Sequence, residues 1–275
     1  MDGLRFSAQE GVLAPLSFLL PAREKPVYYN YEPPPGVPSR TGGRREERVT
    51  VEDARAIRDR LSLDHEGFLL FRHPTAVRNF YDENEIKTLY YPETERLMQS
   101  LTGAGRVVAF DHIVRNGARG KERGSGVKLP ATRMHNDYTA RSAPQRVRDF
   151  FGEEAEGLLE RRFAIINLWR PITGPVLRSP LALCDAESLA DENLVATDLK
   201  YPDRTGEIYS VTYNPAQRWF YFPKMEAEEV LLIRCFDSAK KGAARFSAHG
   251  AFEDPNSPAA APPRESIEVR TFAFY

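Results

Sequence analysis

Cysteines, long apolar runs and blocks of like charge are all scarce in this 275-residue sequence. Its two cysteines, Cys184 and Cys235, lie in apolar runs, which excludes a disulfide framework and predicts buried free thiols in a reducing compartment, the cytoplasm. No stretch reaches the roughly 18 to 20 apolar residues of a membrane span, and two prolines make 11–22 a poor signal peptide. The formal net charge is −1 without a basic block, so neither nucleic acid nor membrane is an expected partner.

The remaining composition is that of a folded globular protein, with 41% hydrophobic and 28% charged residues. We expect a single domain over 1–275, with an irregular, proline-rich arm at 1–48, a helical front portion at 49–105 and a β core at 106–275. The arm should cover the active site rather than fold alone. Helices are predicted at 50–61, 83–101 and 142–159.

Short strand-like runs separated by Pro, Gly, Asn and Asp dominate the second half of the chain, which favours a sandwich or barrel. The prediction is a mainly β fold with flanking helices and a double-stranded β-helix core, that is, a jelly roll of the cupin-like kind. The predicted strands are 106–115, 132–139, 163–170, 176–184, 207–213, 218–222, 230–236, 245–252 and 267–275.

A His-x-Asp pair and one distant histidine form the most informative pattern in the sequence. His135 and Asp137 are two residues apart, so on a strand both side chains project to the same face and can hold one ion. His249 follows far downstream, among small residues that leave room around it. Two histidines and one carboxylate are the facial triad that binds Fe(II) and leaves positions open for a cosubstrate and O₂.

The second histidine is a choice among four, since the chain has five histidines. His112 precedes the His-x-Asp strand and stays an alternative as a neighbour of the site or a substrate contact. His65 and His73 fall in the helical front portion, where surface or capping roles are expected. His249 is preferred because it comes just before an Arg-x-Ser pair.

That pair, Arg264 and Ser266, suits a cosubstrate with a distal carboxylate. An arginine fork binds a carboxylate with two hydrogen bonds, and the serine hydroxyl adds one from the same strand face. Arg270 shares the strand parity and competes for the role, although a salt bridge to a nearby carboxylate is the favoured interpretation for it. Asn167, at a strand end, is a candidate for a further cosubstrate hydrogen bond.

These motifs resemble the fungal asaB-type hydroxylase/desaturase family of secondary metabolism, and the similarity extends over most of the chain. The matching stretches are 62–68 (SLDHEGF), 90–93 (YYPE), 102–104 (TGA), 110–112 (FDH), 135–137 (HND), 167–171 (NLWRP), 174–176 (GPV), 180–182 (PLA) and 264–270 (RESIEVR). A threonine is expected after the distal histidine in this family, whereas Gly250 stands here and could widen the site.

The resemblance implies a double-stranded β-helix that uses Fe(II), 2-oxoglutarate and O₂. It assigns the metal to His135, Asp137 and His249, and the cosubstrate to Arg264. It also implies a small natural-product substrate that is hydroxylated, desaturated, cyclised or peroxidised. A cupin-like metal-dependent isomerase or lyase and a non-catalytic ligand-binding barrel are the alternatives. The oligomeric state is open, with a homodimer among the options.

Overall fold

Two β-sheets enclose the main core in the computed structural model, which describes residues 11–122, 126–239 and 241–275. The larger sheet has nine strands in the order β1-β3-β11-β8-β13-β6-β10-β9-β2, and the smaller has five in the order β4-β12-β7-β14-β5. The strands are β1 (Gly11–Leu19), β2 (Val27–Tyr29), β3 (Arg44–Asp53), β4 (Phe68–Arg72), β5 (Arg106–Asn116), β6 (His135–Asn136), β7 (Phe163–Pro171), β8 (Leu181–Cys184), β9 (Leu194–Lys200), β10 (Thr205–Val211), β11 (Trp219–Tyr221), β12 (Glu229–Asp237), β13 (His249–Ala251) and β14 (Glu265–Phe274).

Helices are short and lie mainly beside the smaller sheet. They are α1 (Glu83–Glu85), a π-helical turn (Ile86–Tyr90), α2 (Tyr91–Thr102), α3 (Ser142–Phe151) and α4 (Ala155–Leu159), with 3-10 turns at Arg55–Arg60, Arg119–Lys121, Gly152–Glu154, Ala186–Ser188 and Asp191–Asn193. In the part of the chain that the structure describes, none of these helices has the length and apolar character that crossing a bilayer requires.

Strand β14 shows how the two faces of the smaller sheet are divided. Ile267 and Val269 belong to the core that includes α2, whereas Phe272 and Phe274 point into the space between the sheets. Alternate residues of a strand face opposite sides of its sheet. The even-numbered residues 264–274 therefore face the interior, where the predicted site residues lie.

The structure corrects the predicted irregular arm. Residues Gly11–Leu19 form β1, which pairs antiparallel with β3 along its whole length. Leu16 and Phe18 on β1 are completely buried, which follows the period of two expected of a strand. Pro15 misled the sequence analysis because β1 is an edge strand, and an edge strand tolerates a proline. Met1–Glu10 lie outside the described residues.

The helix predicted at 50–61 is also wrong. Strand β3 runs through Asp53, and only a 3-10 turn follows it at Arg55–Arg60. At the end of the strand the Asp53 carboxylate accepts a hydrogen bond from the Arg55 amide, which forms a local turn. The β-branched run at 49–51 favours the strand that forms.

Most of the other predicted helices and strands are present in the structure, but their lengths differ from those predicted. The predicted helices at 83–101 and 142–159 are confirmed, and the second is interrupted at Gly152. The predicted strands at 132–139, 176–184 and 245–252 shrink to β6, β8 and β13, while β4 and β9 were missed. The predicted jelly-roll class of fold is confirmed, because two facing sheets enclose the site.

An ion cluster around the buried Glu207 carboxylate joins three separate parts of the chain. The Glu207 carboxylate accepts hydrogen bonds from Thr139, Arg141 and Lys25, at 2.6, 2.6 and 2.5 Å for the shortest contact of each. Burial alone would raise the pKa of Glu207, but the hydrogen bonds from Arg141, Lys25 and Thr139 outweigh it and lower the pKa to about 2.

Glu207→Gln should therefore destabilise the protein at neutral pH, by on the order of 2 to 3 kcal/mol. The folded pKa lies below the unfolded value, so the stabilisation is present above pH ~4.5 and is lost as the pH falls toward 2. Urea unfolding of both proteins at pH 7 and near pH 3 measures this. A stability difference that does not shrink at the lower pH contradicts the prediction.

Candidate metal centre

Three side chains predicted as metal ligands come together between the sheets. His135 on β6 is paired with His249 on β13, and Asp137 follows two residues after His135. One ligand atom from each residue lies within 4.8 Å of the other two. The turn after β6 is held by the completely buried Asn136, whose amide donates to the carbonyl oxygens of Tyr138 and Cys235.

Both imidazole rings are oriented for ligation through Nε2. The Nδ1 atom of His135 lies 2.8 Å from the Arg133 carbonyl oxygen, and that of His249 lies 3.3 Å from the Ser247 carbonyl oxygen. A backbone carbonyl at Nδ1 selects the tautomer whose Nε2 is a free acceptor. Among the described residues, the buried Nε2 of His249 has no hydrogen-bond partner. An unpartnered acceptor of this kind fits a bound metal ion.

The charge states also suit a divalent metal. Burial, together with the nearby His135, lowers the pKa of His249 to about 4, so its ring is neutral at neutral pH. Burial opposes ionisation of Asp137, but Arg270 and His135 outweigh it and hold the pKa of this carboxyl well below its usual range. Metal binding requires neutral imidazole and ionised carboxylate, and His249 and Asp137 are already in those forms.

The Asp137 carboxylate is held from one side only. Its Oδ2 atom accepts hydrogen bonds from Arg270 Nε at 3.0 Å and from Asn167 Nδ2 at 2.8 Å. Its Oδ1 atom faces His135 Nε2 at 3.5 Å. One oxygen is thus occupied by protein donors, and the other remains for a metal. The amide N–H of Asn167 thus binds Asp137, while its Oδ1 atom has no partner among the described residues, and its predicted contact with the cosubstrate stays a prediction.

Arg270 is committed to carboxylates. Besides Asp137, its guanidinium contacts Asp111 at 2.8 Å and Glu268 at 3.3 Å. This agrees with the salt-bridge interpretation favoured from the sequence, although the partner is the candidate metal ligand itself. No local pattern in the sequence indicates that contact, because Arg270 and Asp137 are 133 positions apart.

Arg270→Gln should weaken metal binding about 10- to 100-fold, because partners that orient a ligand typically contribute that much. Asn167→Ala should act in the same direction. Isothermal titration with Co(II) under anaerobic conditions measures the affinity, and circular dichroism checks folding. Arg146→Gln is the matched control, since Arg146 lies nearby against Phe110 without touching Asp137. Unchanged affinity in a folded Arg270→Gln protein would show that Asp137 is positioned without it.

Arg264 and Ser266 lie on the interior face of the structure but outside the lining of the two cavities that reach Asp137. Arg264 is 4% exposed and donates to the Ser179 carbonyl oxygen at 2.5 Å. Its guanidinium also lies over the ring of Trp169, 5.4 Å from the centroid. Within the described residues, Arg264 Nε and Ser266 Oγ are buried without hydrogen-bond partners, and no carboxylate pairs with Arg264. Burial and the charge of Arg115 lower the pKa of Arg264 to about 9.

Arg115 lines the candidate site, although the sequence analysis did not single it out. His112, which the sequence analysis kept as an alternative site residue, does not lie at the site. Arg115 on β5 pairs with Ser266 and lines the larger cavity. His112 faces away, where it contacts the Tyr91 hydroxyl at 2.9 Å and Glu83 at 3.2 Å. The pairing of β5 with β14 has a bulge at Phe110, which shifts the strand's alternation by one residue. The sequence contains no local signal for that shift.

Two cavities meet at the Asp137–Arg270 pair. The larger has a volume of about 580 Å³ and is also lined by His135, while the smaller, of about 460 Å³, extends toward α3. Both volumes fall within the range of small-molecule sites. The arm contributes to the larger cavity through Tyr28, so a segment predicted as a cover does border the candidate site.

Gly250 serves packing rather than a wider site. A Cβ atom at this position would lie 2.6 Å from the Met134 methyl group and 3.1 Å from the Arg133 carbonyl oxygen. The close approach of β13 to the segment before His135 therefore requires glycine. The threonine expected from the family resemblance would not fit here without movement of Met134.

A jelly roll with two histidines and an aspartate at its interior defines the class of proteins that bind a metal between two sheets. A family model described as an oxidoreductase/YMDC permease-like domain matches residues 16–274. The Fe(II)/2-oxoglutarate-dependent dioxygenase nvfI of Aspergillus novofumigatus is 31% identical over 255 residues, which are 90% of each chain. The hydroxylase/desaturase asaB of Aspergillus flavus is 40% identical over 137 residues, covering 44% of this chain and 60% of that protein.

Solved structures lead to the same conclusion. The iron and alpha-ketoglutarate-dependent endoperoxidase NvfI superimposes with a TM-score of 0.87 at 29% identity, covering 96% of this chain and 98% of that one. The chain belongs to the family of fungal Fe(II)/2-oxoglutarate-dependent oxygenases of secondary metabolism.

Proposed function

We propose that this protein is an Fe(II)/2-oxoglutarate-dependent dioxygenase that oxidises a small, largely hydrophobic natural product by hydroxylation, desaturation, cyclisation or peroxidation. The observation that carries the proposal is the cluster of His135, Asp137 and His249, with one unpartnered Nε2 and one carboxylate oxygen left free. The family names agree, since they describe iron and 2-oxoglutarate enzymes.

His135, Asp137 and His249 would hold the iron. When bound, Fe(II) supplies the redox chemistry that couples O₂ to the oxidation of 2-oxoglutarate and of the substrate. The chain's own contribution is orientation: backbone carbonyls fix both imidazoles, while Arg270 and Asn167 fix Asp137.

Arg264 and Ser266 would hold the distal carboxylate of 2-oxoglutarate. A buried cation is normally paired with an anion, and none pairs with Arg264 among the described residues. Ser266 Oγ, also unpartnered, lies two residues along the same strand face. Arg115 is a third candidate, because it is paired across from Ser266 and its charge acts on Arg264. A carboxylate placed there would satisfy all three groups.

We also propose that the whole chain acts as one oxygenase domain. The arm lines the larger cavity through Tyr28, and β1 is the edge strand of the nine-stranded sheet and buries its apolar residues in one core with Met134 and Trp219. The part of the arm around Tyr28 can therefore help to exclude water from a site of oxidation. Cys184 and Cys235 are buried free thiols, which supports the predicted reducing compartment, and the cytoplasm stays a prediction.

Anaerobic reconstitution with Fe(II) and 2-oxoglutarate tests the proposal. A weak visible charge-transfer band should appear only with both components, and admission of O₂ should then yield succinate. A metal-dependent isomerase or lyase would give neither band nor succinate. A non-catalytic barrel would bind metal without responding to 2-oxoglutarate, and that result would discard the proposed oxygenase activity.

A further inference from the structure

The larger cavity combines apolar walls with an excess of positive charge. Its lining contains five basic side chains and only one carboxylate, that of the candidate metal ligand Asp137. The basic residues are Arg40, Arg115, Lys128, Arg133 and Arg270. Arg270 is neutralised by its three carboxylates, and Arg115 lies inward beside Ser266. Two arginines, Arg40 and Arg133, remain without an assigned role.

Both of these arginines lack an acidic partner. Within residues 11–122, 126–239 and 241–275, no carboxylate lies within ion-pair distance of Arg40 or Arg133. Other arginines of the fold do pair with an acid, as Arg55 does with Glu229. Two unpaired guanidinium groups that line one cavity produce a field that attracts an anion.

Arg133 is held firmly in position beside the metal centre. Its carbonyl oxygen lies 2.8 Å from His135 Nδ1, and its backbone bridges to Ser17 on β1. Because it stands two residues before His135, its side chain projects to the same side in an extended segment. Ser17 and His135 thus hold the backbone of Arg133, whose side chain lines the larger cavity.

Arg40 approaches from the arm on the other side. Its guanidinium stacks on the Tyr28 ring, 4.0 Å from the centroid, and the two residues form a β-bridge. Stacking covers the flat face of the guanidinium and leaves its N–H edge free for a carboxylate. Arg40 and Arg133 both line the larger cavity, so both guanidinium groups can face one bound anion.

We propose that the substrate is an amphiphilic acid, whose carboxylate is bound by Arg40 and Arg133 while its apolar body reaches toward the metal centre. This inference rests on the proposed function and names the substrate class for the same site. The apolar body would lie against Ile113, Leu199 and Ile208, which line the same cavity. The carboxylate of the cosubstrate is a separate anion, assigned to Arg264 and Ser266 outside this lining.

A matched pair of probes tests the proposal on the full chain loaded with Zn(II), which is redox-inert, and saturated with 2-oxoglutarate. The probes are 2-naphthylacetic acid and its carboxamide, titrated by calorimetry. The acid should bind at least 10-fold more tightly than the amide. Arg40→Gln and Arg133→Gln should each weaken binding of the acid by about 10-fold and leave the amide unchanged.

Arg48→Gln is the control, since Arg48 is an exposed arginine of β3 that does not line the cavity. Equal affinity for acid and amide, equal losses for both probes, or no binding of the acid at millimolar concentration would each overturn the proposal. Competition between the acid and 2-oxoglutarate would assign these arginines to the cosubstrate instead.

Binding of 2-oxoglutarate itself is measured in the same variants and in Arg264→Ala. If Arg264→Ala binds 2-oxoglutarate normally, Arg264 does not bind the cosubstrate carboxylate. The ratio of acid to amide affinity still tests the proposed roles of Arg40 and Arg133. The two proposals can therefore fail independently.

Discussion

Alanine at His135, Asp137 or His249 is expected to abolish the conversion of 2-oxoglutarate to succinate and to weaken Fe(II) binding by more than 100-fold. The reason is that the cluster offers one ligand atom from each residue, and no other His, Cys, Asp or Glu joins it within the described part of the chain. Each replacement removes a third of the protein donor set. Anaerobic titration with Fe(II) and a succinate assay measure the two effects.

His112→Ala is the matched control for this experiment. His112 is a partly buried histidine on β5, but its ring contacts Tyr91 and Glu83 on the far side of the smaller sheet. Its replacement should leave iron affinity and succinate formation within about twofold of the parent protein. Full activity in His249→Ala, together with iron loss in His112→Ala, would show that the ligand assignment is wrong.

Arg264→Ala is expected to raise the concentration of 2-oxoglutarate required for half-saturation by about 30-fold to several thousand-fold. The basis is a buried, charge-assisted contact whose loss costs about 2 to 5 kcal/mol, including the unpaired carboxylate that it leaves behind. Iron affinity should change little, because Arg264 does not contact His135, Asp137 or His249 in the structure. Titration of the charge-transfer band with 2-oxoglutarate measures this effect.

Arg115→Gln separates the contribution of the neighbouring guanidinium. If Arg115 shares the carboxylate, its replacement should also raise the requirement, by less than Arg264→Ala does. An unchanged requirement in Arg264→Ala, combined with a large one in Arg115→Gln, would transfer the anchoring role to Arg115. If neither substitution changed the 2-oxoglutarate requirement, the carboxylate of 2-oxoglutarate would not bind at this part of β14.

Local patterns in the sequence predicted much of the candidate site because its ligands obey simple periodicities. His135 and Asp137 are two residues apart, and the structure brings both to one ion-sized cluster with His249. The same period of two explains why Arg264, Ser266 and Arg270 all face the space between the two sheets. Alternation is a property of a single strand, so it can be read without knowing the partner strand.

The sequence analysis failed where pairing with a neighbouring strand decides the conformation of a segment or the direction of a side chain. The arm was predicted irregular, yet Gly11–Leu19 is a strand, since pairing with β3 and burial of Leu16 and Phe18 outweigh the local effect of Pro15. His112 was left as an alternative, because the bulge at Phe110 that turns it away exists only in the pairing of β5 with β14.

Residue type and short spacing were enough to predict the class of fold, the three candidate ligands and the arginine–serine pair. The contacts of Arg270 and Asn167 with Asp137, and the position of Arg115 beside Ser266, are visible only in the folded chain. The tertiary structure also brought Arg40 of the arm and Arg133 to one cavity with the metal centre. These contacts join residues from distant positions through sheet pairing and chain crossing, and the periodicity within a segment contains no information about which segment will lie across from it.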